Sequence, residues 1–326
     1  MGKRRIRNLK YLNVDSIKGF DLRSDRREEA QSLYGIQTYD TIEKALEGNK
    51  YDAFVISVPP HIHHIYMKLA ISLNMPFFVE ASVVDDDMEM IIEAAKEKKV
   101  LAAPSSTMFF HPAIKKIREI VANGELGTIT NINYHSGQYL PDWHTYEKVS
   151  EFYVSNKATG GAREIVPFEL TWIVAVFGFP KMVTGMYKKT IHIEGAEDID
   201  DTYAGLFDYG SFILNLVVDV VSRNATRKLL INGSEGQLQW DWNDNHVSVY
   251  TNAAGKVNHE FEMASAQEGY NKNITEQMYI EEMATFLDAV SGKGTFVNDL
   301  EGDHKVLKLL YALEESQDNK KVISIA

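Results

Sequence analysis

In the first hundred residues, helical patterns and short apolar runs follow one another in turn, an order few folds accept. Residues 4–12 read as a helix and 16–21 as a short strand ending in Asp21. A second helix, 25–34, is stopped by Gly35, whose missing Cβ lets the chain turn. Thr41 caps a helix through Leu46, and 53–58 (AFVISV) is an apolar run of strand length broken by Pro59-Pro60. Helix 64–73, strand 77–80, helix 85–98 and strand 100–103 continue the pattern. Strands buried on both faces and separated by helices imply a parallel sheet of βαβ units.

After Pro104 the texture changes. One helix, 112–122, ends at Asn123-Gly124, and alternating strands follow at 128–134, 202–207, 212–218, 228–231, 237–240 and 246–250. Turn signals at Asp208-Tyr209-Gly210 and Asn232-Gly233-Ser234 separate them, which predicts an antiparallel, meandering sheet. Helices at 276–290 and 303–316 close the chain. The expected domains are 1–104 and 105–326, with the last helix packing back on the first.

With 34 basic and 46 acidic residues the net charge is −12, which disfavours sequence-independent binding to nucleic acid or to anionic membranes. Zero cysteines exclude disulfides, thiolate zinc sites and cysteine nucleophiles. No apolar run reaches the roughly 20 residues needed to span a bilayer, and no h-region follows the basic start, so a cytoplasmic protein is expected. His61-x-His63-His64 imitates a metal cluster, but no H-E-x-x-H motif and no neighbouring acid complete it; no metal is expected.

A dinucleotide-binding unit opens with a strand and G-x-G-x-x-G, and this chain has no such motif. It has Gly2 before a helix and Asp21 at a strand end about twenty residues on, the spacing of the last glycine and of the ribose-binding acid. The segments GKRRIRNL, GFDLRSDRREEA, DAFVISVPPHIHH, FFVEAS, FFHPAIKKIREIVANGELG, GQYLPDWH, GGAREIVPFELTW and INGSEGQLQWD follow in order. In that order the chain resembles the glucose–fructose oxidoreductase/inositol dehydrogenase (Gfo/Idh/MocA) family. The resemblance implies a Rossmann-type doubly wound parallel sheet, apparently without its first strand, plus an α+β domain with a large antiparallel sheet. It also reads Met1 as an internal methionine of the phosphate loop, so that the functional product is expected to begin upstream.

The family's Glu-Lys-Pro motif reads Glu80-Ala81-Ser82 here, and the lysine that handles the substrate hydroxyl is absent. The family's histidine and aspartate fall on Phe168 and Thr171, and its arginine before Phe-His-Pro is Phe109. The candidate catalytic residues are His144, Glu80, Arg163 and Glu164: His144 is preferred for proton transfer, Glu164 and Glu169 suit a base or a sugar-hydroxyl acceptor, and Arg163 suits a substrate carboxylate or phosphate. Structural ion pairs and solvated faces are the competing readings of these charges. The resemblance places Gly2, Asp21, Arg23, Ser57, Pro59, His63 and Glu80 at the cofactor. Asp21 favours NAD, whereas Arg23 and Arg26 leave NADP open. His111, Tyr139, Asp142, Trp143 and Glu169 are the candidate substrate contacts, an aromatic and polar set that suits sugars. Capping by His111 and packing by Trp143 are the alternatives.

The expected function is an NAD(P)-dependent oxidoreductase transferring hydride to or from a sugar, sugar nucleotide or polyol, working as a homo-oligomer, dimer or tetramer. The alternatives are a non-catalytic cofactor- or sugar-binding relative and a redox-neutral, lyase-like sugar enzyme.

Overall fold

A computed structural model describes residues 1–143, 147–262 and 275–325. The chain forms two compact units. One comprises Met1–Glu80, Asp87–Ser105 and Tyr279–Leu300, the other Ala81–Asp86, Ser106–Met278 and Glu301–Ala326.

The first unit runs α1 (Gly2–Tyr11), β1 (Lys18–Phe20), α2 (Ser24–Tyr34), β2 (Gln37–Tyr39), α3 (Ile42–Leu46), β3 (Phe54–Ile56), α4 (His63–Ser72), β4 (Phe77–Val79), α5 (Met88–Lys98) and β5 (Ala102–Pro104). Local chemistry sets the boundaries. Gly35 ends α2 at φ 64°, and Thr41 caps α3 by accepting the Lys44 N–H at 3.3 Å. Every strand pairing is parallel. The strands form two sheets, β1–β2 and β3–β4–β5, so β1 is not joined to β3 among the described residues. The expected parallel sheet is thus present in two pieces.

Strand β4 shows why this unit holds together. Phe77 and Phe78 are both fully buried and point to opposite faces, as strand geometry requires. Phe77 packs with Ile56, Met67, Ile71 and Ile91. Phe78 packs with Leu9, Met283 and Phe286. Helices therefore cover both sides, one supplied by a late segment, α8 (Glu276–Val290). The domain expectation needs correcting here: residues from Tyr279 to Leu300 belong to the first unit, while the last helix, α9 (Leu300–Asn319), belongs almost wholly to the second.

The second unit contains α6 (Pro112–Ala122), β6 (Ile129–Tyr139), α7 (Ala162–Phe177), β7 (Met182–Lys188), β8 (Thr202–Asp208), β9 (Ile213–Asp219), β10 (Val221–Gly233), β11 (Gly236–Asp241), β12 (His246–Thr251), β13 (Gly255–Glu260), α9 and β14 (Ile323–Ser324). Its nine-stranded sheet has the order β13-β12-β11-β10-β6-β9-β8-β7-β14. The sheet is mixed rather than wholly antiparallel, because β6 lies between β10 and β9 and runs parallel to β9. Residues 132, 134 and 136 of β6 are buried, and the alternate residues Asn131, Asn133 and His135 are more exposed. On that open face Met186, Leu206, Ile213 and Tyr250 stand 48–65% exposed.

Two glycines deliver the chain into α7. A Cβ on Gly160 would lie 1.9 Å from the Val154 carbonyl oxygen, and Gly161, at φ 67°, passes close to the Asp200 carbonyl. Inside α7, Pro167 has no N–H to give the Arg163 carbonyl one turn earlier.

Candidate functional site

The three strands β3, β4 and β5 end side by side at Ser57, Glu80 and Ser105, the edge at which open α/β sheets bind ligands. Arg5 of α1 is 1% exposed and reaches that edge. Its Nε and Nη2 each donate to Glu80 at 2.8 Å, and its Nη1 lies 2.9 Å from Glu282 of α8. Ser57 donates to Glu80 at 2.9 Å and Ser105 to Glu282 at 3.0 Å. The guanidinium also lies over Phe78, 4.5 Å from the ring centre.

Burial opposes ionisation of Glu80, but the Arg5 charge and its hydrogen bonds outweigh it and hold the carboxyl below its ordinary range. An acid–base role for Glu80 is thereby corrected: near neutrality it is a fixed anion committed to Arg5. His63 is likewise occupied. Its Nε2 meets the Val58 carbonyl at 2.8 Å, and burial lowers its pKa to about 4, so the ring is neutral. Pro59 lies on the loop that this contact holds.

Asp21 follows β1. Its Oδ1 accepts the Arg23 N–H at 2.9 Å, and its second oxygen makes no hydrogen bond among the described residues. The Arg23 side chain bonds Asp25 through both Nε and Nη2, at 3.1 and 2.6 Å. At Gly2 a Cβ would sit 3.8 Å from that of Ser57, so the start of α1 adjoins the end of β3. Of the expected cofactor residues the structure brings Gly2, Ser57 and Glu80 together, with His63 on the loop beyond Ser57. Phe20, just before Asp21, packs on Tyr66 of α4 with ring centres 6.0 Å apart.

In the second unit several expected site residues turn out to be structural. Arg163 donates to Glu314 through Nε at 2.7 Å and Nη2 at 3.2 Å, and through Nη1 to the carbonyls of Val83 and Ala158 at 2.7 and 2.5 Å. Its fork is used up, which corrects the expectation of a substrate-binding or catalytic arginine. Glu169, fully buried, accepts from Tyr134, Ser136, Trp172 and Arg227 at 2.7–2.9 Å. A carboxylate saturated by four donors has no capacity left for a sugar hydroxyl. His111, 1% exposed, caps α6 by accepting the Ala113 N–H at 3.2 Å and stacks on Trp242. Burial pushes its pKa down to about 3, so it is a neutral packing residue.

Other candidates remain available. Glu164 accepts the Tyr153 hydroxyl at 2.5 Å on Oε1, while its Oε2 is buried without a hydrogen-bond partner. Tyr139 lies under the Arg223 guanidinium at 3.8 Å. Asp142 is exposed, and the Trp143 indole N–H is buried and unbonded. His144 lies outside the described residues.

Sequence reasoning missed Arg5, Ser105, Tyr153 and Glu282. Arg5 sits in the basic run GKRRIR, where nothing local sets it apart from its neighbours, and the other three belong to no motif.

Comparison with known proteins agrees with the family inferred from the motifs. Residues 114–239 match the family model of the GFO/IDH/MocA C-terminal domain. An uncharacterized oxidoreductase of Schizosaccharomyces pombe is 19% identical over 211 residues, 62% of this chain and 56% of that protein. The match thus spans little more than half of the relative's length. Levoglucosan dehydrogenase in complex with NADH and levoglucosan superposes with a TM-score of 0.85 at 14% identity, over 100% of this chain and 96% of that one. For myo-inositol 2-dehydrogenase from Lactobacillus plantarum the TM-score is 0.82 at 17% identity, with the same coverage. At such identities the likeness is one of fold.

The Arg5 network yields a test. Replacing Arg5 with Met leaves two carboxylates buried beside one another, a loss of about 3–5 kcal/mol at pH 7 in urea unfolding. Because the folded pKa of Glu80 is depressed, its stabilising contribution is full above the ordinary value of 4.5 and fades as pH falls through the folded value. The gap between native protein and Arg5→Met should therefore narrow from pH 6 to pH 3; a constant gap contradicts the assignment.

Proposed function

We propose that this chain, whose residues 114–239 match the GFO/IDH/MocA C-terminal domain, is an NAD-dependent oxidoreductase acting on a carbinol of a sugar or polyol. The observation that carries this reading is the ligand edge of the first unit. There Gly2, Ser57 and Glu80 meet where parallel strands end, and Asp21 keeps one carboxylate oxygen unbonded. These residues fit a dinucleotide. Asp21 suits the ribose hydroxyls, the start of α1 suits the pyrophosphate, and the loop Ser57–Pro59–His63 borders the nicotinamide. The bound nicotinamide would supply hydride chemistry; Glu80, fixed by Arg5, shapes the edge without exchanging a proton.

Two facts favour NAD over NADP. Asp21 repels a 2′-phosphate, and the Arg23 guanidinium is already engaged by Asp25. The dehydrogenases similar in fold that bind NADH and levoglucosan, or that act on myo-inositol, support a polyhydroxylated substrate. The second reading, a cofactor- and sugar-binding protein without turnover, rests on Ala81 and Phe168, which remove the family's usual acid–base pair. Bound cofactor with no oxidation of any polyol would favour it.

The open face of the nine-stranded sheet, with Met186, Leu206, Ile213 and Tyr250 exposed, is the proposed contact between copies of the chain. In light scattering, Leu206→Arg should shift the protein toward monomer; an unchanged mass rejects this face as the contact.

Titrated by fluorescence, NADH should bind saturably and more tightly than NADPH. Asp21→Ala should weaken NADH about 10-fold or more while affecting NADPH little, as loss of a charged hydrogen bond of ~1.5–3 kcal/mol implies. Equal weakening of both cofactors contradicts the assigned role.

A further inference from the structure

Most cations around the ligand edge of the first unit are already held. Lys3 donates to both oxygens of Glu29 at 2.9 and 3.1 Å, and Arg5 is divided between Glu80 and Glu282. The Arg23 fork is closed on Asp25, and Arg27 donates through Nη1 to the carbonyls of Asp21 and Leu22 at 2.8 and 2.9 Å. Arg26 differs. It stands exposed in the first turn of α2, and its guanidinium makes no hydrogen bond or ion pair among the described residues.

Contacts between α1 and α2 place this arginine. The two helices lie side by side in the same sense: Lys3 meets Glu29, while Arg7 and Lys10, farther along α1, both meet Tyr34 at the end of α2. Residues three apart on a helix share a face, so Arg26 lies on the face that carries Glu29, one turn nearer the start of α2. That turn is level with the start of α1, where Gly2 adjoins Ser57 at the end of β3. The carboxylates that could neutralise Arg26 from its own helix, Asp25 and Glu29, are taken by Arg23 and Lys3. In a chain of net charge −12, an unshared guanidinium at a ligand edge is a local attraction for an anion.

We propose that Arg26 binds the pyrophosphate of the dinucleotide, as a cation set beside the start of α1. This rests on the reading of the first unit as a dinucleotide site. A guanidinium presents paired N–H groups that match two phosphate oxygens, and its charge does not titrate near neutrality. The work divides accordingly. Asp21 takes the ribose hydroxyls and repels a 2′-phosphate, whereas Arg26 meets the charge that NAD and NADP have in common. Arg26 therefore adds affinity for both without choosing between them, and its presence does not argue for NADP.

The test titrates the full chain, native, Arg26→Gln and Arg26→Lys, with NADH and NADPH by fluorescence and with ADP-ribose by calorimetry. Arg26→Gln should weaken all three ligands by the same factor, about 10-fold. Its NADH affinity should also fall less steeply with added salt, and Arg26→Lys, which keeps the charge but loses the fork, should recover part of the loss. The thermal midpoint should not move, because the side chain is exposed and unbonded. Three outcomes overturn the proposal. A larger loss for NADPH than for NADH puts Arg26 at the 2′-phosphate, unchanged affinities make it a solvated residue, and a loss that comes with a lowered midpoint reports damage to the fold. Native protein that binds none of the three ligands overturns the dinucleotide reading and this proposal with it, a result distinct from those three.

Discussion

The architecture of the first unit depends on one guanidinium. Arg5 comes from the first helix, yet it fixes the end of β4 through Glu80 and the late helix α8 through Glu282. Ser57 and Ser105 complete the network from the neighbouring strand ends. A buried ion pair adds little net stability compared with an apolar replacement, because desolvating the charges offsets their attraction. Its value lies in what it forbids: with two carboxylates aimed at one cation, other arrangements of α1, β4 and α8 leave a buried charge unpaired.

The second unit repeats the device. Glu169 and Arg227 form a buried pair inside a ring of Tyr134, Ser136 and Trp172, locking α7 to the sheet. Arg163 with Glu314 ties the start of α7 to α9. In this protein most charges that look catalytic in sequence are anchors. Glu164 stands out because it lies among them and is only half satisfied.

How much of this was legible depended on the range of the forces involved. Helix 112–122 could be read to the residue, because His111, Pro112 and Asn123-Gly124 are local start and stop signals. Gly35 and Thr41 worked in the same way. Strand β2, only Gln37–Tyr39, is too short for any periodicity to reveal it. The mixed sheet was missed because alternation reports which face is buried and says nothing of strand direction. The return of α8, rather than α9, to the first unit hinges on Phe286 meeting Phe78, a contact 208 positions apart in the chain. At the site, sequence reading named Arg163 and Glu80 as reactive groups, whereas both are committed to buried partners. Whether a charge has a partner is a tertiary fact, and motif spacing does not carry it.

On the proposed reading, a nicotinamide dinucleotide lies along the strand ends of the first unit. Hydrogen–deuterium exchange of the whole chain, with and without saturating NADH, tests it most directly. Slowed exchange is expected in the first turn of α1, in the turn after Asp21 and in the loop from Ser57 to His63. Protection confined to the open face of the nine-stranded sheet, with those three segments unchanged, would contradict it.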